Sequence, residues 1–217
     1  MLACQSLNNF LFRLMILNDS QIMKYATEGM ITPFQVQLIR EFDVYGHEKM
    51  SSQIRKVISY GLSSYGYDIR LSSKEFKIFK HIPGTIVNPK NFNSQNLESV
   101  ELQQDKWGDF FIIPAHSYGL GVAIEKLQMP PNLTAICIGK STYARAGLIA
   151  NLTPVEASWT GHLTIEISNS SSADCRVYAN EGIAQLLFFQ GEECAINYES
   201  RQGKYQNQPE EIVPPLM

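Results

Sequence analysis

Short apolar segments separated by turn residues fill the second half of the chain, and this spacing constrains the fold more than any other feature. In residues 118–124, apolar side chains such as Tyr118 and Leu120 alternate with glycine or alanine, which is the two-residue period of a β-strand. Turn-forming residues follow at 130–132, 169–172 and 180–182. Because many short strands at such spacing form sandwiches or barrels, the sequence predicts a mainly β fold with a few short helices.

The remaining segments define the predicted organisation of the chain. A helix is predicted from a cap at Asp19 or Ser20 to about Glu28. The sequence further predicts an N-terminal extension over 1–14, a folded domain over 15–190, a long polar loop over 88–108 and an irregular C-terminal arm over 191–217. The predicted strands are 67–71, 76–79, 110–113, 118–124, 133–138, 163–167, 175–178 and 183–189.

Composition excludes several classes of protein. A chain of 217 residues with 18% charged residues buries a sizeable core, and a net charge of −3 without a basic stripe opposes nucleic-acid binding. No apolar run reaches the roughly 18 residues that span a bilayer. Four scattered cysteines form no C-x-x-C pair and no histidine begins an H-x-E motif, which opposes a zinc site. We therefore expect a cytoplasmic protein that binds neither nucleic acid nor membrane, with its cysteines as small buried side chains.

Residues 139–145 concentrate the groups that suit a phosphate chain. Lys140 and Arg145 supply two positive charges, and Ser141 and Thr142 supply two hydroxyls, directly after an apolar strand. A second interpretation is the start of a helix on a solvated loop, with Ser141 or Thr142 as its cap. Local features alone favour that second interpretation, and a P-loop is excluded because the earlier glycine of that motif is missing.

A glutamate in the middle of a predicted strand is the second candidate for chemistry. In 163–169, Thr164, Glu166 and Ser168 share one face of the strand, opposite the apolar residues. On a solvated face such a glutamate is inert, whereas in a pocket it can act as a general base and acid. Gln185, the polar residue of a buried strand, either bonds within the core or faces a ligand. The loop 198–208 suits either a nucleobase or solvent.

Taken in order, five segments closely resemble the dCTP deaminases, a family of the dUTPase-like superfamily. The segments are SSYGYDIRL (63–71), GKSTYARAGL (139–148), TPVEASWTGHLTIEISN (153–169), YANEGIAQLLFF (178–189) and GKYQNQ (203–208), and the resemblance covers about 15–208. It implies a distorted jelly-roll or β-barrel subunit in a homotrimer, with active sites at subunit interfaces. It also implies hydrolytic deamination of dCTP to dUTP and ammonia, with Mg²⁺ on the bound triphosphate, no zinc and no metal ligand from the protein. The dUTP formed would supply dUMP and dTTP synthesis.

The resemblance also assigns roles to individual residues. Glu166 takes the place of the catalytic proton acceptor and donor, and Ser141 and Arg145 fall where the family holds and polarises the attacking water. The implied nucleotide contacts are Lys140, Ser141, Thr142, Tyr143, Ala144, Arg145, Thr164, Ile165, Glu166, Gln185, Tyr198, Lys204 and Gln208.

Two alternatives stay open at this point. Glu156 lies in PVEASW, about where dUTPase relatives carry an acidic residue for their attacking water, so a bifunctional enzyme giving dUMP and pyrophosphate is the first. The glycine-rich arm of ordinary trimeric dUTPases is missing, and their acidic residue is typically Asp, which favours the deaminase alone. A nucleotide-binding trimer without catalysis is the second alternative, and the intact Ser141, Arg145 and Glu166 oppose it.

Overall fold

The computed structural model describes residues 15–45, 52–151 and 153–217, so the predicted extension over 1–14 lies outside the described residues. Two α-helices are present in the described part, α1 (Asp19–Thr27) and α2 (Ser141–Ala144), with a 3-10 turn at Ser94–Asn96. The strands are β1 (Met15–Ile16), β2 (Ile31–Thr32), β3 (Ile39–Tyr45), β4 (Ser52–Ser63), β5 (Gly66–Phe79), β6 (Leu97–Ser99), β7 (Gln103–Asp105), β8 (Gly108–Ile113), β9 (Tyr118–Gln128), β10 (Leu133–Gly139), β11 (Leu148–Asn151), β12 (Thr160–Asn169), β13 (Cys175–Tyr178) and β14 (Gly182–Gln190). The mainly β prediction is confirmed.

The strands form a large antiparallel sheet and a small one. The large sheet runs in the order β1-β14-β5-β9-β12-β11, with β10 added to β14, β2 to β9, and β4 and β6 to β5. The small sheet has the order β13-β8-β7. Strand β5 was predicted as two strands, but it is continuous. Its residues 67–70 pair with β14 and those from Leu71 onward pair with β9, with a register shift in that second pair between Leu71 and Phe76. This curling lets one sheet enclose a core.

Inward-pointing side chains of both sheets build the core. The large residues Tyr67, Phe76, Phe111 and Phe188 are essentially inaccessible to solvent. The rings of Phe76 and Phe111 stack with their centroids 4.9 Å apart. Burial of such side chains stabilises the fold by about 25 cal/mol for each Å² of apolar surface removed from water.

The cap of helix α1 lies one residue before the first of its two predicted positions. Asn18 is the cap: its side-chain oxygen accepts from the Gln21 N–H at 3.1 Å, and the Gln21 Oε1 accepts from the Asn18 N–H at 3.0 Å. This reciprocal pair is a capping box, and it satisfies two backbone donors that the helix itself cannot. The prediction of Asp19 or Ser20 was therefore wrong, although the Asn-x-x-Gln spacing was readable in the sequence.

Three smaller expectations had mixed outcomes. The 88–108 segment is only partly a loop, since it contains β6, β7 and the 3-10 turn. Cys137 is buried as expected, but Cys175 is partly exposed and Cys194 is exposed, while Cys4 lies outside the described residues. After Gln190 the chain forms no helix or strand, as predicted. No helix in the described ranges is long and apolar enough to cross a membrane.

Candidate active site

Glu166 lies on the partly exposed face of β12, and the predicted alternation of that strand is confirmed. Ile165 and Ile167 are buried, whereas Thr164 and Glu166 keep partial exposure. A cavity of about 490 Å³ opens on this face. Its lining consists of Phe79, Tyr118, Leu120, Thr153, Pro154, Val155, Glu156, Trp159, Leu163, Thr164, Glu166, Tyr198, Tyr205, Gln208, Val213 and Pro215.

The carboxylate of Glu166 is held from the neighbouring strand. Asn151 stands opposite Glu166 in the β11–β12 pair, and its Nδ2 donates to Glu166 Oε2 at 3.2 Å. On the other side, β9 supplies Tyr118, whose ring lies edge-on to Phe79 at 5.3 Å. Burial and, secondly, the negative charge of Glu166 raise the pKa of Tyr118 to about 12. Tyr118 therefore stays a neutral hydroxyl beside the glutamate in the neutral pH range.

The C-terminal arm forms another wall of the cavity. Gln208 Nε2 donates to Thr164 Oγ1 at 2.6 Å, and the backbone oxygen of Gln208 accepts from His162 N at 3.0 Å. Further along the wall, Trp159 Nε1 donates to the Tyr205 carbonyl at 2.8 Å. These bonds place amide and aromatic groups of the arm beside the strand that carries Glu166.

Two other candidate residues, Glu156 and Lys204, lie at the edge of the Glu166 cavity or outside it. Glu156 lines the cavity and forms an ion pair with Arg201, both about half exposed. Lys204 is exposed, is not among the lining residues, and donates from Nζ to the Leu216 carbonyl at 3.2 Å. Tyr198 lines the cavity, and its hydroxyl accepts from Tyr205 N at 3.0 Å.

The predicted phosphate segment forms the short helix α2, as the second interpretation predicts, but with a different cap. Lys140 is the capping residue, and no side chain caps the helix, so the predicted cap at Ser141 or Thr142 is wrong. The exposed members of the segment are Ser141, Thr142, Ala144 and Arg145. Their accessibility leaves the hydroxyls and the guanidinium available to a ligand.

Tyr143 anchors this segment to the core. Its side chain is buried, and its hydroxyl accepts from Tyr178 N at 2.9 Å. Burial raises the pKa of Tyr143 well above its ordinary value. The side chain therefore holds α2 on the barrel, while its neighbours face outward.

Lys140 and Gln185 meet at a second site around Asp68. Lys140 Nζ forms a nearly buried ion pair with Asp68, and Gln185 stands opposite Asp68 in the β14–β5 pair. Gln185 Nε2 also donates to Ser63 Oγ at 3.2 Å. Burial raises the pKa of Asp68, against the lowering effect of Lys140. The positive charge of Lys140 is thus largely neutralised by Asp68 of the same chain.

A single chain therefore brings together only some of the predicted site residues. Thr164, Glu166, Tyr198 and Gln208 line one cavity, whereas residues 140–145 and Gln185 are not among its lining residues. The Ile165 side chain points into the core on the opposite face of β12.

Sequence reasoning missed several lining residues. Trp159 and Tyr205 lie inside motifs already noted, so their positions were available as a signal. Tyr118 and Phe79 were assigned to strands without a role, because only the pairing of β5, β9 and β12 brings them to Glu166. The described residues contain no group of three or more His, Cys, Asp or Glu side chains placed to hold a metal ion.

Comparison with known proteins identifies relatives that match most of this chain. A family profile described as dCTP deaminase-like matches residues 16–191. A dCTP deaminase of Acidobacterium capsulatum is 45% identical over 202 residues, which are 93% of this chain and 99% of that protein. A dCTP deaminase of Campylobacter curvus is 50% identical over 202 residues, covering 92% of this chain and 97% of that protein.

A solved structure shares the fold. The crystal structure of 2′-deoxycytidine 5′-triphosphate deaminase from Agrobacterium tumefaciens superposes with a TM-score of 0.51 at 18% identity. The match covers 88% of this chain and 51% of that chain, so this protein spans about half of it. Since the family profile and the curated relatives match over most of the sequence, the chain belongs to the dCTP deaminase family.

Proposed function

We propose that this protein is a dCTP deaminase, which hydrolyses dCTP to dUTP and ammonia. Its relatives of that name match at 45–50% identity over more than nine-tenths of the chain. The observation that carries the proposal is Glu166, a carboxylate fixed on a paired strand and lining a cavity of about 490 Å³ with Thr164 and Gln208. That cavity combines a proton-transfer group with hydroxyl and amide groups that can bond to a pyrimidine base.

Glu166 would perform both proton transfers of the reaction. It removes a proton from water as the water oxygen attacks the ring carbon that bears the amino group, and passes this proton to the ring nitrogen. The second water proton then goes to the departing amino group, so that the carbon–nitrogen bond breaks, a carbonyl forms and ammonia leaves. General acid–base assistance of this kind contributes about 10²–10⁴-fold to the rate.

Ser141 and Arg145 would hold and polarise the attacking water from a neighbouring subunit. Both are exposed, and neither lines the Glu166 cavity of its own chain. The strands beside α2 expose Ile136, Ile138 and Ile149, each more than 40% accessible, which suits contact with another copy of the chain. We therefore propose a homotrimer whose active sites combine residues of two subunits.

A mixing experiment tests this arrangement. Glu166→Gln and Arg145→Ala are each expected to be inactive alone. If one subunit supplies Glu166 and the next supplies Arg145, randomly mixed trimers regain activity, since about one quarter of the sites then have both groups. Mixtures that stay inactive, or a monomer by light scattering, contradict the shared site.

The triphosphate would be bound by residues 140–145 and by the arm. Because Lys140 is already paired with Asp68, Arg145 carries most of the positive charge available to an anion, with the Ser141 and Thr142 hydroxyls beside it. The substrate would arrive as its magnesium complex, whose ion would offset part of the negative charge of the triphosphate.

The other proposed contacts come from three places in the chain. Thr164 and the backbone of Ile165 would lie beside the base, and Gln185 would contact the nucleotide from β14. Tyr198, Lys204 and Gln208 would contribute from the arm, residues 191–217, against the domain over 15–190. We also propose a cytoplasmic location, since Cys137, Cys175 and Cys194 are free thiols, which suit a reducing compartment.

Product analysis after incubation with dCTP tests the function directly. We expect dUTP and ammonia, no loss of activity on zinc chelation, and binding without turnover in Glu166→Gln. Glu192→Gln, the same change at an exposed position outside the cavity, is the control and should behave as wild type. Activity that chelation removes and only zinc restores would overturn the proposed role of Glu166.

Two other outcomes identify the alternatives. Formation of dUMP and pyrophosphate indicates a bifunctional enzyme, an outcome that the presence of Glu156 in the same cavity favours. Binding of dCTP without turnover by the wild-type protein indicates a nucleotide-binding trimer without catalysis.

A further inference from the structure

We infer that Asn151 is a positioning residue that fixes the reactive orientation of the Glu166 carboxylate. This inference rests on the proposed function, because it concerns the same glutamate. Asn151 is the last residue of β11, a strand at the end of the large sheet that pairs with β12 alone among the described residues. Its register partner is Glu166, so the strand ladder itself brings the two side chains to the same place.

The hydrogen bond between the two side chains has a defined polarity. Asn151 Nδ2 lies 3.2 Å from Glu166 Oε2. An ionised carboxylate only accepts hydrogen bonds, so the amide must present its NH₂ group, since the reversed amide would set two acceptors against each other. Among the residues that the structure describes, Glu166 Oε1 has no hydrogen-bond partner, which leaves that oxygen for the water and the ring nitrogen.

The need for such a contact follows from the position of Glu166. Its side chain is only partly buried and carries several rotatable bonds, so packing alone does not fix the carboxylate plane. A proton-transfer group must lie within hydrogen-bond reach of the proton that it moves. Strand β11 is itself tied at its start, where Ser170 N and Oγ donate to the Gly147 carbonyl at 3.0 and 2.8 Å. Asn151 is thus presented from an anchored strand.

The charged groups on the elements around the glutamate form ion pairs of their own. On β5, Lys77 stands opposite Leu120, the β9 partner of Glu166, and is paired with Glu75. Across the cavity, the negative charge of Glu156 is paired with Arg201. Strand β11 contains no titratable residue, and the other titratable groups of the lining are tyrosines. The neutral Asn151 donor therefore acts on the Glu166 carboxylate without a competing unpaired charge from these groups.

Two variants remove the donor in different ways. Asn151→Leu keeps the size of the side chain without a donor, and Asn151→Asp keeps the shape but adds a negative charge. We expect kcat to fall about tenfold with KM within about twofold, because a loosened base affects the chemical step more than binding. Asn151→Asp should lose more activity than Asn151→Leu, because a second carboxylate opposite Glu166 in the strand pair sets like charges side by side.

Controls separate this role from a structural one. Asn91→Leu makes the same change at an exposed loop position and should match wild type in both readouts. Asn151→His retains a ring donor and should recover part of kcat. A fall in kcat that Asn151→His does not recover at all, or a raised KM with unchanged kcat, overturns the inference.

A readout without turnover keeps the inference independent of the assay. Equilibrium binding of the product dUTP to folded Asn151→Leu should stay within about twofold of wild type, because the amide donor orients the base rather than the nucleotide. Clearly weakened binding refutes the inference, even where thermal melting shows that the variant is less stable. Wild-type protein without deaminase activity refutes the proposed function instead, so the two failures are distinguishable.

Discussion

Gly161→Ala should release the C-terminal arm from the cavity. Gly161 has a φ of +147°, and it bridges Gln208 in the arm. A Cβ at this position would lie 2.7 Å from the Gln208 nitrogen and 2.9 Å from its oxygen. Both contacts are with backbone atoms, which a side-chain rotation cannot relieve. The arm must therefore move away from β12.

The size of the effect follows from the bonds that would break. Asn207 N donates to the Thr160 carbonyl at 2.8 Å, beside the two Gln208 bonds to His162 and Thr164. Three hydrogen bonds, each worth about 0.5–1.5 kcal/mol net, shift the docking equilibrium by about 2–4 kcal/mol, or roughly 30- to 1000-fold. The positive φ costs a further 1–3 kcal/mol, roughly, in any residue except glycine, and this part appears in the stability of the barrel.

Tryptic cleavage and steady-state kinetics measure the two consequences. Cleavage after Arg201 and Lys204 in the arm should accelerate at least about tenfold, and KM for dCTP should rise far more than kcat falls. Gly191→Ala is the matched control, because a Cβ there meets nothing within 4 Å and φ is not positive. Cleavage and KM within twofold of wild type for Gly161→Ala would refute the reasoning that this backbone contact docks the arm.

Two further predictions concern the arm and the barrel separately. Burial acts to raise the pKa of Glu75, but the hydrogen bond from Ile212 N lowers that pKa below its ordinary value. The ionised Glu75 therefore stabilises the docked arm above the ordinary pKa, and this stabilisation is lost as the pH falls through the lowered pKa. Acid should thus loosen the arm before the barrel unfolds, seen as a change in Trp159 fluorescence that precedes the loss of β-sheet circular dichroism. Gly182→Ala should destabilise the barrel by more than about 3 kcal/mol, because the Cβ of the alanine would overlap the Ser59 carbonyl oxygen. A urea-unfolding midpoint equal to that of Gly191→Ala would contradict this prediction.

Local sequence signals predicted the strands that have one buried face. Residues 175–178 form β13 with the predicted bounds, because a turn precedes them and a turn follows. The hairpin of β3 and β4 was not predicted, since its residues mix charged and apolar types without a clear period. Phe42 and Ile54 in this hairpin are 38% and 64% exposed, so burial does not impose an alternating pattern at these positions. Where burial does not select residues, periodicity carries no information.

In the candidate site, too, the sequence predicted features within a strand but not contacts between strands. The alternation within β12 was enough to set Glu166 apart from its apolar neighbours. Its contact with Asn151 depends on the β11–β12 register, and the pair of Lys140 with Asp68 joins residues 72 positions apart. Register and long-range contacts are properties of the assembled sheet, which no local pattern specifies.

The proposed active site combines a rigid strand, β12, with a C-terminal arm that is held less firmly. Glu166 is fixed by β-ladder bonds on both sides, to β9 and to β11, and a strand in the middle of a sheet moves little. The arm that carries Tyr198 and Gln208 has no helix or strand and is held by individual hydrogen bonds. Substitutions that disturb β11 or β12 should therefore lower kcat, whereas substitutions in the arm should raise KM. Weak docking of the arm is compatible with turnover, because the product must leave the cavity. We therefore expect variants in which the arm is covalently fixed to β12 to bind nucleotide more tightly but to release dUTP more slowly.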